Sequence, residues 1–334
     1  MLGNAAARRK SVVMGLAMMI ASLAVAVQPA NADDASGIRA SARMEQDVTC
    51  APPPDLPRRL ATQSKYDQSI GSRSIIDEAA RQKRADQLAP ITAAIRQVAA
   101  LTRRVADDQR NGARCAIQAL RHWAAVKALT EMVTSDSNLT RDRFAGDIAS
   151  IVLSLQARGE NLGREGEIRT WLQTLARQTM AYYDFKAGPT SRRNNHRYWA
   201  GIAVADIGDI LGDADMQAWS EKSFAIGACQ IDENGFLPLE LARAERAHEY
   251  HLYAYAALNR LAHQAARRGS ADLACADRLD RLHGLVAQGE GSASSFAQRT
   301  GHVQRRPTRL QLMAASATPP ASGDPSTTSD VNPL

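Results

Sequence analysis

Residues 111–130 read NGARCAIQALRHWAAVKALT, and their apolar residues recur at the three-and-four spacing of an amphipathic helix. The same period returns in 163–184, around Ile168, Trp171, Leu172 and Leu175, and in 194–212, 214–230, 239–268 and 271–288. Only two prolines, Pro189 and Pro238, interrupt the chain between Ile91 and Arg306. Turn chemistry marks the joints: Asn161-Leu162-Gly163, Gly188-Pro189 and Glu233-Asn234-Gly235. Successive helices on short loops make antiparallel hairpins, and many such hairpins must close or stack to bury their apolar faces. The expected fold is all-α, an incomplete α/α barrel (toroid) of antiparallel helical hairpins. A long solenoid is the alternative, but no clean repeat supports it.

Composition narrows the function. The 334 residues are 45% hydrophobic, 23% charged and only 5% aromatic, which disfavours an all-β sandwich or barrel. No P-loop, dinucleotide-binding or common zinc string is present. Residues 1–32 combine Arg8-Arg9-Lys10, an apolar run from Ser11 to Val27 and Ala30-Asn31-Ala32, and are expected to be a cleaved signal peptide leading to the periplasm or to secretion. Its removal takes away three basic residues and leaves a formal charge of about +3, compatible with a polyanionic partner. Nothing favours nucleic acid or, after cleavage, a membrane. A Pro-rich arm is expected over 33–60, the helical body over 61–306 and a disordered Ser/Thr/Pro tail over 307–334.

Export permits disulfides, and four cysteines allow three pairings. Cys50–Cys115 is favoured because it pins the arm to the body, which leaves Cys229 with Cys275; four free thiols are the alternative.

Two segments concentrate chemistry. In Arg192-Arg193-Asn194-Asn195-His196-Arg197-Tyr198-Trp199, Asn195 and Trp199 share a helix face. A bland reading makes one asparagine a cap and His196 structural. In 240–255, three of seven tyrosines fall within six residues, and Arg243 and Tyr250, seven apart, share one stripe of a continuous helix. Guanidinium groups at Arg243 and Arg246 are expected to move the Tyr250 pKa down. The bland reading is a solvated charged face. His248 and His251 with Glu245 and Glu249 do not share one face, so no metal is expected.

The strings Asn194-Asn195-His196-x-Tyr198-Trp199-Ala200, Asp232-Glu233-x-Gly235-Phe236-Leu237-Pro238-x-Glu240-Leu241 and Arg243-x-x-Arg246-Ala247-x-x-Tyr250-His251-x-Tyr253-Ala254 resemble those of the bacterial alginate lyases of polysaccharide lyase family 5. Ser64-Lys65-Tyr66 resembles that family's mobile lid, expected here near 62–72, and weaker likeness extends over about 45–301. Arg197 and Leu252 depart from the family's usual Ser and Asn, and the chain after Gly301 diverges.

The resemblance implies an exported enzyme that cleaves polymannuronate by β-elimination, without metal or cofactor, as a monomer. It assigns Asn195 and Arg243 to the substrate carboxylate and Tyr250 to protonation of O4. His196 is an alternative base or an orienting group. Ser64, Lys65, Tyr66, Trp123, Trp199, Arg246 and His251 are expected to bind the anionic polysaccharide. A lyase for another polyuronate, such as polyglucuronate or hyaluronan, and a non-catalytic uronate-binding or scaffold protein are the competing readings.

Overall fold

The computed structural model describes residues 49–103, 109–160, 162, 166–270, 272–288 and 290–315. The expected leader, the first part of the Pro-rich arm and the chain from 316 onward lie outside the described residues. So do Asn161 and Gly163 of one expected turn.

Local signals set the helix starts. Asp77 caps α1 (Glu78–Leu101) by accepting from the Ala80 amide, and α2 spans Gln109–Ala125. Thr134 and Ser137 form a reciprocal capping box at α3 (Ser135–Gln156). The fourth helix, α4 (Gly166–Ala181), runs into a π-helical turn, Tyr182–Lys186. Asn194 caps α5 (Asn195–Leu211), and Asp213 caps α6 (Ala214–Ala228). Between those two helices Gly212 adopts φ 65°, the left-handed conformation that ends a helix without a Cβ penalty. The rest comprises α7 (Pro238–Leu241), α8 (Ala247–Arg267), α9 (Leu279–Val286), α10 (Glu290–Thr300) and α11 (Arg309–Ala315).

Packing follows two layers. Helix α1 lies on α3, α3 on α5, and α5 on α8, while α2 packs on α4 and α6 returns against α5 and α8. This is the incomplete α/α toroid. Helix α5 is buried almost all round, which explains its run of small and aliphatic residues, Ala200-Gly201-Ile202-Ala203-Val204-Ala205.

The arm is fastened to this body. Cys50 is bonded to Cys115, the Trp123 indole donates to the Pro54 carbonyl, and Arg59–Leu60 (β1) pairs in parallel with Glu131–Met132 (β2). The second disulfide joins Cys229 to Cys275. At Glu233-Asn234-Gly235 the turn closes on the Asp232 side chain, which accepts from the Asn234 and Phe236 amides. Gly235 is required there: φ is 87°, and a Cβ would meet the Arg281 carbonyl oxygen at 2.5 Å. Among the described residues no helix is long and apolar enough to cross a membrane.

Two expectations are corrected. Segment 239–268 is not one helix: α7 ends at Leu241, a 3-10 turn covers Ala244–Arg246, and Ala244 sits at φ 52°. The expected tail does not begin at 307, because α11 forms over Arg309–Ala315 and packs on α8.

Candidate active site

The start of α5, the broken segment before α8 and the loop at 64–76 converge on one cleft. Tyr250, in the first turn of α8, lies under the Arg243 guanidinium, 4.0 Å from its ring centroid. The Tyr66 hydroxyl is 2.5 Å from the Tyr250 hydroxyl, and Arg243 Nη2 donates to the Arg73 carbonyl at 2.7 Å. The 64–76 loop, held by a Tyr66–Ile76 bridge, therefore closes directly on both residues. Arg243 Nε is buried without a protein partner.

The sequence-based pKa expectation for Tyr250 is overturned. Burial pushes its phenol well above the ordinary value, and this outweighs the opposing effect of Arg243. Tyr250 is thus a protonated phenol at rest. His196 is shifted the other way, down to about 4, first by desolvation and then by the positive charges of Arg243 and Arg84. It is a neutral imidazole at neutral pH.

Asn195 is held by Glu240. Its backbone N–H donates to Glu240 Oε1 at 2.9 Å, and its Nδ2 donates to Oε1 and Oε2 at 2.9 and 3.0 Å. Its Oδ1 is buried and unpartnered. Glu240 is completely buried, and desolvation raises its pKa against the effect of the Asn195 bonds. The amide orientation follows from the charge on this carboxyl. A neutral Glu240 donates to a flipped Oδ1 instead, which frees Nδ2 from the carboxyl.

Trp199 stacks on Tyr253 with centroids 4.7 Å apart, and both line a narrow cavity of about 50 Å³ with His196, Arg143, Asp147 and Arg260. That volume is far below the ~300 Å³ of a small-molecule site.

Two expected substrate contacts are corrected. Trp123 is fully buried with its indole N–H on Pro54, so it presents no stacking face. His251 is fully buried too: Nε2 accepts from the Leu237 amide and Nδ1 faces the Ala247 carbonyl, so it braces the turn before α7. Arg246 stays near the site, 5.5 Å from the Tyr250 ring centroid, but its fork is occupied by Glu249 at 2.9 and 2.6 Å. In the loop, Ser64 accepts from the Tyr66 amide, and the Lys65 ammonium lies 5.3 Å from the Tyr66 ring centroid.

Sequence reasoning assigned no role to Glu240, Arg73, Arg84 or Tyr253. An acid placed among apolar residues in Pro238-Leu239-Glu240-Leu241 is the one signal that pointed to a buried carboxyl. Among the described residues no group of three or more His, Cys, Asp or Glu is placed to hold a metal.

The cleft of this helical toroid thus brings together a protonated phenol, a guanidinium and a neutral imidazole. The model of the alginate lyase family matches residues 61–288, and the chain belongs to that family. It is a polysaccharide lyase. A polysaccharide lyase of Stenotrophomonas maltophilia is 34% identical over 76% of this chain and 76% of its own length. An alginate lyase of Azotobacter vinelandii is 32% identical over 72% of this chain, which spans 66% of that protein. The fold is similar to crystalline alginate lyase A1-III of Sphingomonas species A1, with TM-score 0.60 and 21% identity over 79% of this chain and 76% of that one. A tyrosine-to-phenylalanine variant of A1-III complexed with a tetrasaccharide gives TM-score 0.58 and 23% identity, over 70% of this chain and 71% of that one.

Proposed function

We propose that the protein is an exported, periplasmic lyase that cleaves polymannuronate by β-elimination and leaves a 4,5-unsaturated uronate. The observation that carries this reading is the Arg243–Tyr250 contact, a guanidinium with a free buried Nε stacked on a protonated phenol. The C5 proton of a uronate is weakly acidic, and its removal puts a second negative charge on the carboxylate group. Arg243 Nε neutralises that charge, and Asn195 Nδ2 adds a donor when Glu240 is neutral.

In mannuronate the C5 hydrogen and O4 lie on one face of the ring. The phenol of Tyr250 gives its proton to O4 as the C4–O4 bond breaks, and its oxygen takes the proton from C5. The C4–C5 double bond forms, and Tyr250 ends as it began. This relay needs no resting phenolate, in keeping with the direction of the Tyr250 pKa shift. His196 orients the carboxylate end of the sugar. A substrate carboxylate at Arg243 offsets one of the charges that depress the His196 pKa and makes it a better base for anti-elimination. Two disulfides suit an oxidising compartment.

The test is ultraviolet absorbance of the conjugated product with mature protein on mannuronate blocks, guluronate blocks, polyglucuronate and hyaluronan. Turnover fastest on mannuronate blocks is expected. No absorbance with any polymer overturns the catalytic reading, and faster turnover on another polymer overturns the substrate.

A further inference from the structure

The start of α5 has a second chemical face. Trp199 lines the narrow cavity that His196 also lines, while Arg197, two residues earlier, is rotated about 200° from it around the helix. Arg197 lines a different, open groove of about 500 Å³ between the 182–193 segment and α6. None of the catalytic residues lines this groove. Its volume lies within the ~300–1,000 Å³ range of ligand sites.

The groove is basic. Arg192, Arg193, Arg197 and Lys222 line it against a single carboxylate, Asp184. That carboxylate is already committed: it accepts from Arg197 Nη1 at 2.9 Å and from the Trp219 indole at 3.0 Å. Arg197 is only 3% exposed, donates through Nε to Ser223, and has a buried Nη2 with no protein partner. Its guanidinium lies 4.3 Å from the Trp219 ring centroid, which fixes it in place. Burying a guanidinium with one donor unpaired is costly, and a bound anion removes that cost. Arg193 and Lys222 are exposed. Directly after Asp184, Phe185 is 80% exposed on the π-helical turn, an apolar ring suited to packing on the C–H face of a sugar.

We propose that this groove is a second, non-catalytic uronate-binding site, which grips carboxylates of the polymer at a distance from the cleavage site. Its substrate class rests on the polyuronate lyase reading above. The buried Arg197 supplies a fixed donor, the exposed Arg193 and Lys222 supply charge, and Phe185, next to Asp184 in the chain but outside the groove lining, supplies a stacking face beside it.

The experiment compares wild-type protein with the Arg193→Ala/Lys222→Ala double variant, folding being checked by circular dichroism. Expected is a KM on long polymannuronate raised about three- to tenfold, with kcat unchanged and both constants on a tetrasaccharide unchanged. An unchanged polymer KM, or an equal loss on the tetrasaccharide, overturns the proposal. Calorimetric binding of hexamannuronate separates this result from failure of the lyase reading. If wild-type protein cleaves no polyuronate, the double variant must still lose hexamannuronate affinity by that factor. Binding of inorganic phosphate to wild-type protein but not to the double variant, with hexamannuronate bound equally by both, makes the groove a phosphate site and overturns the proposal. A Phe185→Ala variant that weakens hexamannuronate binding without altering phosphate binding supports it.

Discussion

Arg243 and Tyr250 touch because the helix between them is broken. Seven residues on a continuous α-helix are separated by about 10.5 Å along the axis, even when they share a stripe. Here α7 ends at Leu241, Ala244 turns through φ 52°, and the 3-10 turn at Ala244–Arg246 folds the Arg243 guanidinium back to 4.0 Å from the Tyr250 ring centroid. A non-glycine residue in the left-handed region costs roughly 1–3 kcal/mol, so strain sits beside the site.

Tyr250→Phe keeps the ring under Arg243 and removes the proton. The variant is expected to fold, because the packing face survives, and kcat on mannuronate blocks is expected to fall by at least ~10²–10⁴. His196→Ala is expected to impair guluronate-containing polymer more than mannuronate, since anti-elimination needs a base on the face opposite Tyr250. Measurement of kcat for both variants on each block polymer, with circular dichroism, checks the pair. A folded Tyr250→Phe protein with near-normal kcat removes the tyrosine from its role.

Stability is expected to fall in acid through two histidines kept neutral. His251 is depressed to about 3 and His196 to about 4, from an ordinary 6.5, chiefly by burial. Between these values the unfolded chain binds more protons than the folded one, so stability is full above about pH 6.5 and declines as pH falls toward 4 and 3. Burial raises the pKa values of Asp142, Asp206 and Glu240, which opposes this slope in acid, so the histidine part is read as the difference in Tm slope between wild type and a histidine variant. His251→Gln is expected to flatten that slope whatever it does to the Tm at neutral pH. Scanning calorimetry across pH distinguishes an unchanged slope.

Helices such as α5 were legible because amphipathic period and turn residues are local, as at 194–212 against the observed Asn195–Leu211, whereas α3 was not singled out. Helix α1 was harder to read, since Pro90 lies inside it and resembles a boundary. The residues of the site were legible as types, but their engagements were not. Trp123 reads in the sequence as a stacking face, and only the arm packed across it reveals the bond to Pro54. The direction of the Tyr250 shift depended on burial under the 64–76 loop, a long-range contact that neighbouring arginines in sequence do not report.

Removing the disulfide of the arm is expected to loosen the same contacts. Cys50 and Cys115 are 65 residues apart, and closing a loop of that size stabilises by about 2–5 kcal/mol in the chain-entropy model. Cys50→Ser/Cys115→Ser is therefore expected to lower the Tm by several degrees with little change in kcat, because neither cysteine reaches the cleft. Thermal unfolding with and without reductant checks this, and a reductant-insensitive wild-type Tm contradicts it.

Glu240 gives the sharpest separation between a bracing and a proton-linked role. If its carboxyl only braces the start of α5, both Glu240→Gln and Glu240→Ala lose the bond from the Asn195 amide to a charged acceptor and both are impaired. If a neutral carboxyl sets the orientation of Asn195, glutamine reproduces it: Oε1 accepts from the Asn195 backbone N–H, Nε2 donates to Oδ1, and Nδ2 faces the substrate carboxylate. Glu240→Gln is then expected to retain kcat/KM within about threefold, while Glu240→Ala loses tenfold or more by leaving buried donors unpaired. Burial raises the Glu240 pKa, so its neutral form persists to higher pH than an exposed glutamate and is lost as pH rises through the raised value. Wild-type kcat/KM is therefore expected to decline on that limb, and Glu240→Gln, which cannot ionise, to lack the decline. Superimposable pH profiles for wild type and Glu240→Gln exclude the proton-linked role.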